Sequence, residues 1–361
     1  MSKGVKLDKK SLEYAILGGT ILGGGGGGSP EKGDEFASIA VNYTDLRLVD
    51  INDIDEDALL LTVSLVGAPN AKDKWLYASD FARTIELFKN NCDIKLGGII
   101  TNENGGEATV NGWLQSALTG LPLVDAPCNG RAHPTGVMGS MNLHKEKAYI
   151  TTQSFAGGNP ETGSYVEGVL KGTIEHTSKL VRMAAVEAGG LVAVARNPVT
   201  AKYAKENAAV GAITHAIEVG KVYSKGLEDS PETAMKELCT LLNGRVLAKG
   251  KVTEFEIRYE GGFDVGRAFI DGVEITFWNE YMTAEKQGQR LATFPDLIMT
   301  FDAKTGTPLT SAMMKNDIEV VVFATGKGNI KLSKTMGEEE LIAACEPIVN
   351  KELNKYNKYN K

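Results

Sequence analysis

Only four cysteines occur among the 361 residues, at 92, 128, 239 and 345, and no two of them stand in a CxxC spacing. Neither a disulfide framework nor a zinc knuckle is supported by that distribution. Histidine is equally scarce, with four in all, and HxH and HExxH spacings are missing. No cofactor is therefore implied, and a divalent metal would have to be assembled from residues as far apart as Glu103, Asp125 and His133. The chain contains no run of eighteen apolar residues and no apolar segment of the signal-peptide kind near its start. A membrane span and secretion are unsupported, and the cytoplasm is the expected location. A net charge of −7 leaves no Lys/Arg excess for a phosphate backbone, so a nucleic-acid partner is excluded.

What is present fits a folded protein of two units. An apolar content of 42% with 24% charged residues is ordinary for a globular chain, and 361 residues exceed what one ordinary core encloses. The first part alternates helical and strand patterns. A helix over 7–22 runs into six glycines at 23–28, Ser29-Pro30-Glu31 opens a second helix, and strands are expected at 58–66, 96–101 and 121–125 with helices at 75–90 and 109–119. This rhythm predicts an α/β domain with a mostly parallel sheet over residues 1–170. A long helix over 165–189 and a strand at 190–195 come next, followed by helices at 205–222 and 230–242. After Asn243 the texture changes to polar–apolar alternation between Gly-rich turns, with further strands at 297–301 and 318–324. Residues 171–350 are thus read as a mixed helical, then β-rich domain, a barrel or a sandwich. Residues 351–361 (KELNKYNKYNK) read as a frayed tail.

Two loops stand where a parallel sheet places its ligands, beyond the carboxyl ends of strands. One is Asn102-Glu103-Asn104-Gly105-Gly106. The other opens at Asp125 within residues 124–140 (VDAPCNGRAHPTGVMGS), which hold a carboxylate, a thiol, an amide, a guanidinium and an imidazole between helix-breaking prolines and glycines. Glu103 and His133 are candidate acid/base groups, Cys128 is a candidate nucleophile, and Asp125 a base or the group that orients His133. Arg131 suits a bidentate grip on a carboxylate or the polarisation of a carbonyl. Asn104, Gly105, Gly106, Asn111, Asn129 and Gly130 complete the expected substrate wall, with Asn111 alternatively a helix cap. The glycine run, with Gly26 and Gly27 at its centre, is either a tight interhelical connection or an anion-binding or lid segment. A nucleotide is disfavoured there, because the run follows a helix and lacks a Gly-Lys-Ser/Thr. Glu280, in Trp278-Asn279-Glu280-Tyr281, and Phe294-Pro295-Asp296 are either strand ends with turns, the commoner case, or further polar groups of a cleft between the domains.

The combination of a leading helix ending in GGGGGG-Ser29-Pro30, the NENGG loop, Asp125-Ala126 ahead of Asn129-Gly130-Arg131-Ala132 and Pro134, and the late segment LATFPDLI at 291–298 resembles the S-methyl-thiohydantoin desulfurase family. The likeness spans nearly the whole chain. It implies two domains and hydrolytic removal of sulfur from a five-membered cyclic ureide-like ring, releasing a thiol and leaving a hydantoin. Pro127 and Thr135 stand where the family pattern carries acidic residues, and Cys128 and His133 lie beside them. The expectation from sequence is a hydrolase of small cyclic thio-amide or ureide compounds. In it, water or Cys128 attacks the ring carbon between two nitrogens, and Arg131 with Asn104 holds the anionic species. A homo-oligomer is expected. The alternative is a non-catalytic binding subunit serving a hydantoinase- or oxoprolinase-like partner.

Overall fold

The computed structural model describes residues 4–67, 73–260 and 263–357. Its first sheet has eight strands: β1 (Val5–Lys6), β2 (Arg47–Val49), β3 (Leu59–Gly67), β4 (Leu96–Thr101), β5 (Leu123–Val124), β6 (Thr151–Gly157), β7 (Val166–Gly172) and β8 (Leu191–Thr200). They lie in the order β1-β2-β5-β4-β3-β8-β6-β7. The four strands β2, β5, β4 and β3 run parallel and form the α/β centre that the alternating pattern predicts. Antiparallel strands extend it on both sides. Helices α1 (Lys9–Gly23), α2 (Pro30–Tyr43), α3 (Ala78–Asn91), α4 (Trp113–Thr119), α5 (Ile174–Glu187) and α6 (Ala201–Asn207) accompany this sheet. Ser29 caps α2 by accepting from the Lys32 N–H at 3.3 Å, with Pro30 in the first turn where its missing N–H is harmless.

Residues 166–172 are strand β7 rather than the start of the single long helix read from sequence. Pairing with β6 overrides the helical spacing there, and the helix begins only after Gly172-Thr173. The chain beyond residue 170 also completes the first sheet, since β8 inserts between β3 and β6.

Helices α7 (Ala212–Leu227) and α8 (Pro231–Leu241) lead into the second sheet. Its strands are β9 (Arg245–Glu260), β10 (Phe263–Ile270), β11 (Val273–Trp278), β12 (Glu280–Lys286), β13 (Gln289–Thr293), β14 (Leu297–Asp302), β15 (Pro308–Leu309) and β16 (Glu319–Thr325). All pairings are antiparallel, in the order β13-β12-β11-β10-β9-β16-β14-β15. The long strand β9 belongs to both halves, which fold over a shared core of Ile275, Phe277 and Tyr281 against Met299, Phe301 and Val322. The edge strands β13 and β15 do not pair with each other among the described residues, so the domain is a folded, sandwich-like sheet.

Short helices α9 (Glu339–Ala343), α10 (Glu346–Val349) and α11 (Asn354–Asn357) follow. The terminal segment, read from sequence as frayed, is anchored as far as residue 357. Leu353 is fully buried, and the Lys351 ammonium lies 2.6 Å from Glu274 and 2.5 Å from Glu285. Residues 358–361 fall outside the described residues. Among the described residues no helix is long and apolar enough to cross a membrane.

The two domains are riveted by α1 and α7. Leu12 and Ala15 of α1 and Ile213 of α7 sit in the core of the first sheet, whereas Ile21, Leu22, Ala216 and Val219 sit in that of the second. The helices cross at Gly18 and Gly220, where an added Cβ would come within 1.8 Å of the Ala216 carbonyl oxygen and 2.0 Å of that of Tyr14. No side chain fits between the backbones. We expect Gly18→Ala to destabilise the protein by about 1–3 kcal/mol through overpacking, read as a lower urea midpoint at unchanged slope.

Candidate functional site

Because β4 and β5 are parallel neighbours, their carboxyl ends release the two candidate loops side by side. The backbone N–H groups of Cys128 and Asn129 donate to the carbonyls of Thr101 and Asn102 at 2.9 and 3.0 Å, so the loops are stitched together from their first residues. Asn104 is buried within this seam. Its amide donates to the Gly130 and Ala212 carbonyls, and its oxygen accepts from the Thr109 hydroxyl. Asn129 likewise donates to the Arg131 carbonyl and accepts from the Ser333 N–H of the C-terminal domain. The Asn111 oxygen accepts from the Gln115 amide at 3.0 Å inside α4 and its lead-in. These three amides brace the loops.

Asp125 has a different task from the one read in the sequence. One carboxylate oxygen accepts from the Ile213 N–H at 2.8 Å, and the other from the Thr214 N–H and hydroxyl at 3.1 and 2.5 Å. It caps α7, where the exposed N–H groups and positive helix end attract a carboxylate, and it does not orient His133. Cys128 feels Arg196 and Glu103 of the polar cluster, but burial outweighs them. It is fully buried against Thr62, with the sulfur 3.2 Å from the hydroxyl, and burial pushes its thiol up to about 11. At neutral pH it is a thiol and a poor nucleophile.

The two acid/base candidates do meet. Glu103 Oε2 lies 3.1 Å from His133 Nε2 and accepts from the His133 backbone N–H at 3.1 Å. Their geometry is that of an ion pair, but burial acts on both partners against it, pushing the carboxyl up to about 8 and pulling the imidazole down to about 3. In so dry a position, beside the cations Arg131 and Arg196, two neutral groups sharing a hydrogen bond are favoured over two charges.

Beside this pair lies a second, fully buried one. Glu280, at the start of β12, faces Arg131, and its carboxyl is pushed well above the usual range by burial, with Glu103 adding to the shift and Arg131 opposing it. The Arg131 guanidinium lies 4.5 Å from the centre of the Phe294 ring and donates from Nη1 to the Asp296 carbonyl. Its Nη2 and one oxygen of Glu280 have no hydrogen-bond partner among the described residues. Buried polar atoms without partners are uncommon and signal a place for water or a ligand.

The glycine run brings the halves together. Gly24, Gly25, Gly27 and Gly28 all have positive φ, between 61° and 98°. A Cβ on Gly27 would lie 2.4 Å from the Cα of Gly105, and one on Gly26 would lie 2.0 Å from a Glu280 oxygen. Its carbonyls accept from the second domain, Gly24 from the Tyr281 N–H and Gly25 from the Ser311 N–H, and Gly27 accepts from Glu107 and Ala108 of the first. The run is a tight connection that lets the NENGG loop and β12 approach. Gly106 packs in the same way against Pro30, and Gly130 against the Lys331 carbonyl.

Sequence reading assigned no role to Asn102 or Arg196. Arg196 sits in β8, fully enclosed, and donates to the Asn102 oxygen at 3.2 Å, while the Asn102 amide lies 3.3 Å from His133 Nε2. A lone arginine inside the apolar run LVAVARNPVT was the available signal. Among the described residues no group of three or more His, Cys, Asp or Glu side chains converges as metal ligands.

Fold and site define a two-domain protein, α/β then β-sandwich, with an enclosed cluster of ionisable groups where the domains meet. Family models place it: residues 10–163 match the S-Me-THD-like N-terminal domain and residues 173–334 the S-Me-THD-like C-terminal domain, so the chain belongs to the S-Me-THD-like family. No curated protein sequence matches it. A crystal structure of a protein from Chromobacterium violaceum matches with a TM-score of 0.70 over 95% of this chain and 96% of that one, at 21% identity, which shows a shared fold.

Two outcomes follow from the geometry. Asp125→Ala should lose about 1–2 kcal/mol in urea unfolding, the usual magnitude for a lost helix cap, with Asp125→Asn losing less because it keeps one acceptor. Glu103 raises the other test through its proton. Its carboxyl binds a proton in the folded state up to about pH 8, against an ordinary value of 4.5, so its contribution is fully present below pH 4.5 and lost as pH rises through 8. The stability of Glu103→Gln relative to the unaltered protein should therefore increase between those two pH values, measured by urea midpoints across the range.

Proposed function

We propose that this protein is a hydrolase of small five-membered cyclic thio-amide or ureide rings, of the thiohydantoin or hydantoin type. The observation that carries the reading is the enclosed Glu103–His133 pair, set at the carboxyl ends of parallel strands beside the unpartnered Nη2 of Arg131. Membership of the S-Me-THD-like family supports a thiohydantoin-related ring as the substrate in this reading.

In this reading water attacks the ring carbon between the two nitrogens and forms a C–O bond. One water proton passes to the ring nitrogen; the C–S bond then breaks as the hydantoin carbonyl forms, and the sulfur takes its electron pair and the second water proton and leaves as a thiol. Glu103, whose carboxyl is held near neutrality in its titration, carries protons between water and leaving group, with His133 as its hydrogen-bonding partner. Arg131 supplies a donor to the anionic tetrahedral species, in surroundings dry enough to make that contact strong. The high thiol pKa of Cys128 favours water over a covalent intermediate. Asp125 and Asn104 support the loops and leave the reacting atoms to the other groups.

The test is release of thiol and hydantoin from S-methyl-thiohydantoins, followed by thiol trapping and chromatography. Glu103→Gln and His133→Ala are expected to lower turnover on the order of 10²–10⁴-fold, the range of acid–base contributions, and Cys128→Ala to retain it. Full turnover in both Glu103→Gln and His133→Ala, or no turnover of any such ring by the unaltered protein, overturns the reading.

A further inference from the structure

The chain Arg196–Asn102–His133–Glu103 carries information about protons, because one end of it has no choice of role. Guanidinium is a donor only. Arg196 Nη2 lies 3.2 Å from Asn102 Oδ1, so that oxygen accepts, and the Asn102 amide is thereby turned with its NH₂ toward His133. Nδ2 lies 3.3 Å from His133 Nε2. An amide NH₂ is also a donor only, so Nε2 must present its lone pair. The reverse orientation of Asn102 would set its NH₂ against the Arg196 N–H groups and leave donors facing donors.

We infer that Arg196, acting through Asn102, is a positioning residue that locks His133 as the Nδ1–H tautomer, with Nε2 accepting the Glu103 carboxyl proton. The inference rests on the reading of Glu103 and His133 as the proton-handling pair and deepens it. It makes Glu103 the group that carries, releases and takes up the proton, with His133 Nε2 as the acceptor of its hydrogen bond.

Other contacts agree. Nε2 is 3.1 Å from Glu103 Oε2, so its single lone pair is shared in a three-centre arrangement between a protonated Glu103 carboxyl and the more distant Asn102 amide. Asn102, His133 and Arg196 are all buried, so water has little room to substitute for any link. Gly139 closes the far side: a Cβ there would lie 2.6 Å from Asn102 Oδ1 and 2.8 Å from His133 Nε2, so the two side chains cannot swing apart on that face without meeting backbone. The charged groups facing the imidazole are Glu103, Arg131 and Arg196. Both arginines oppose a second ring proton, whereas the backbone carbonyls of Thr135 and of His133 itself favour one. His133 Nδ1 is buried without a hydrogen-bond partner of standard geometry among the described residues.

Histidine-selective ¹⁵N labelling gives the decisive measurement, since the chain has four histidines and the His133 signals are those lost in His133→Ala. At neutral pH the full-length protein should show His133 Nδ1 as a protonated, pyrrole-type nitrogen and Nε2 as an unprotonated, pyridine-type nitrogen. Asn102→Asp offers only acceptors to both neighbours, so Nε2 should shift to the protonated type, with turnover of the ring substrate falling on the order of 10²-fold. Arg196→Lys keeps a donor-only neighbour and should keep the Nδ1–H pattern. A protonated Nε2 in the unaltered protein at neutral pH overturns the inference, as does an unchanged pattern in Asn102→Asp. If that variant does not fold, the unaltered and Arg196→Lys spectra still decide. Lack of turnover by the unaltered protein overturns the proposed function, and the tautomer assignment is judged separately by the spectra.

Discussion

The contact of Gly27 with Gly105, backbone against backbone, is the constraint on which the site depends. A side chain on either residue would hold the glycine run away from the NENGG loop by the width of at least one methyl group. With both bare, the run enters the joint between domains and its carbonyls accept N–H groups from Tyr281, Ser311, Glu107 and Ala108. That places Glu280, the first residue of β12, directly against Gly26 and across from Arg131. Six glycines in succession would be a heavy entropic burden for an ordinary turn. Here they meet two domains at once, and the rigid crossing of α1 and α7 delivers them to the same place on every molecule.

The same joint explains the electrostatics. Glu103, His133, Arg131, Arg196 and Glu280 are taken out of water together, and desolvation is the largest influence on every one of them. Burying five ionisable groups is unfavourable unless they are paired, hydrogen-bonded or neutral. The structure uses two of these routes: neutral forms for Glu103, His133 and Glu280, and hydrogen bonds for Arg196, to Asn102, and for Arg131, to the Asp296 carbonyl. Arg131 Nη2 and a Glu280 oxygen are left over. Shifted ionisable groups gathered at one spot between apolar cores mark it as the candidate site.

Much of this was legible residue by residue. The strands leading to Thr101 and Val124 announce themselves by apolar runs ended by polar, Gly-rich loops, and parallel pairing makes those loops neighbours, so Glu103 and His133 could be placed in one crevice. The helix start at Ser29-Pro30 and the change to alternating patterns after Asn243 were equally plain, because capping and period-two alternation are local. Residues 166–172 were misread because their apolar spacing suits a helix until β6 offers an edge to pair with. Leu353 looked like part of a basic, featureless tail because its burial depends on surfaces contributed by distant strands.

The sequence by itself determined the two-domain class and the two strand-following loops that bring Glu103 and His133 together, since these depend on composition, spacing and local periodicity. Only the tertiary structure decided which of the gathered groups face one another. Asp125 turned to the N-terminus of α7, Cys128 into an apolar wall, and Arg196, from a strand far along the chain, to the amide beside His133. Roles of that kind are settled by direction and by exclusion of water, and both arise only when distant segments pack together.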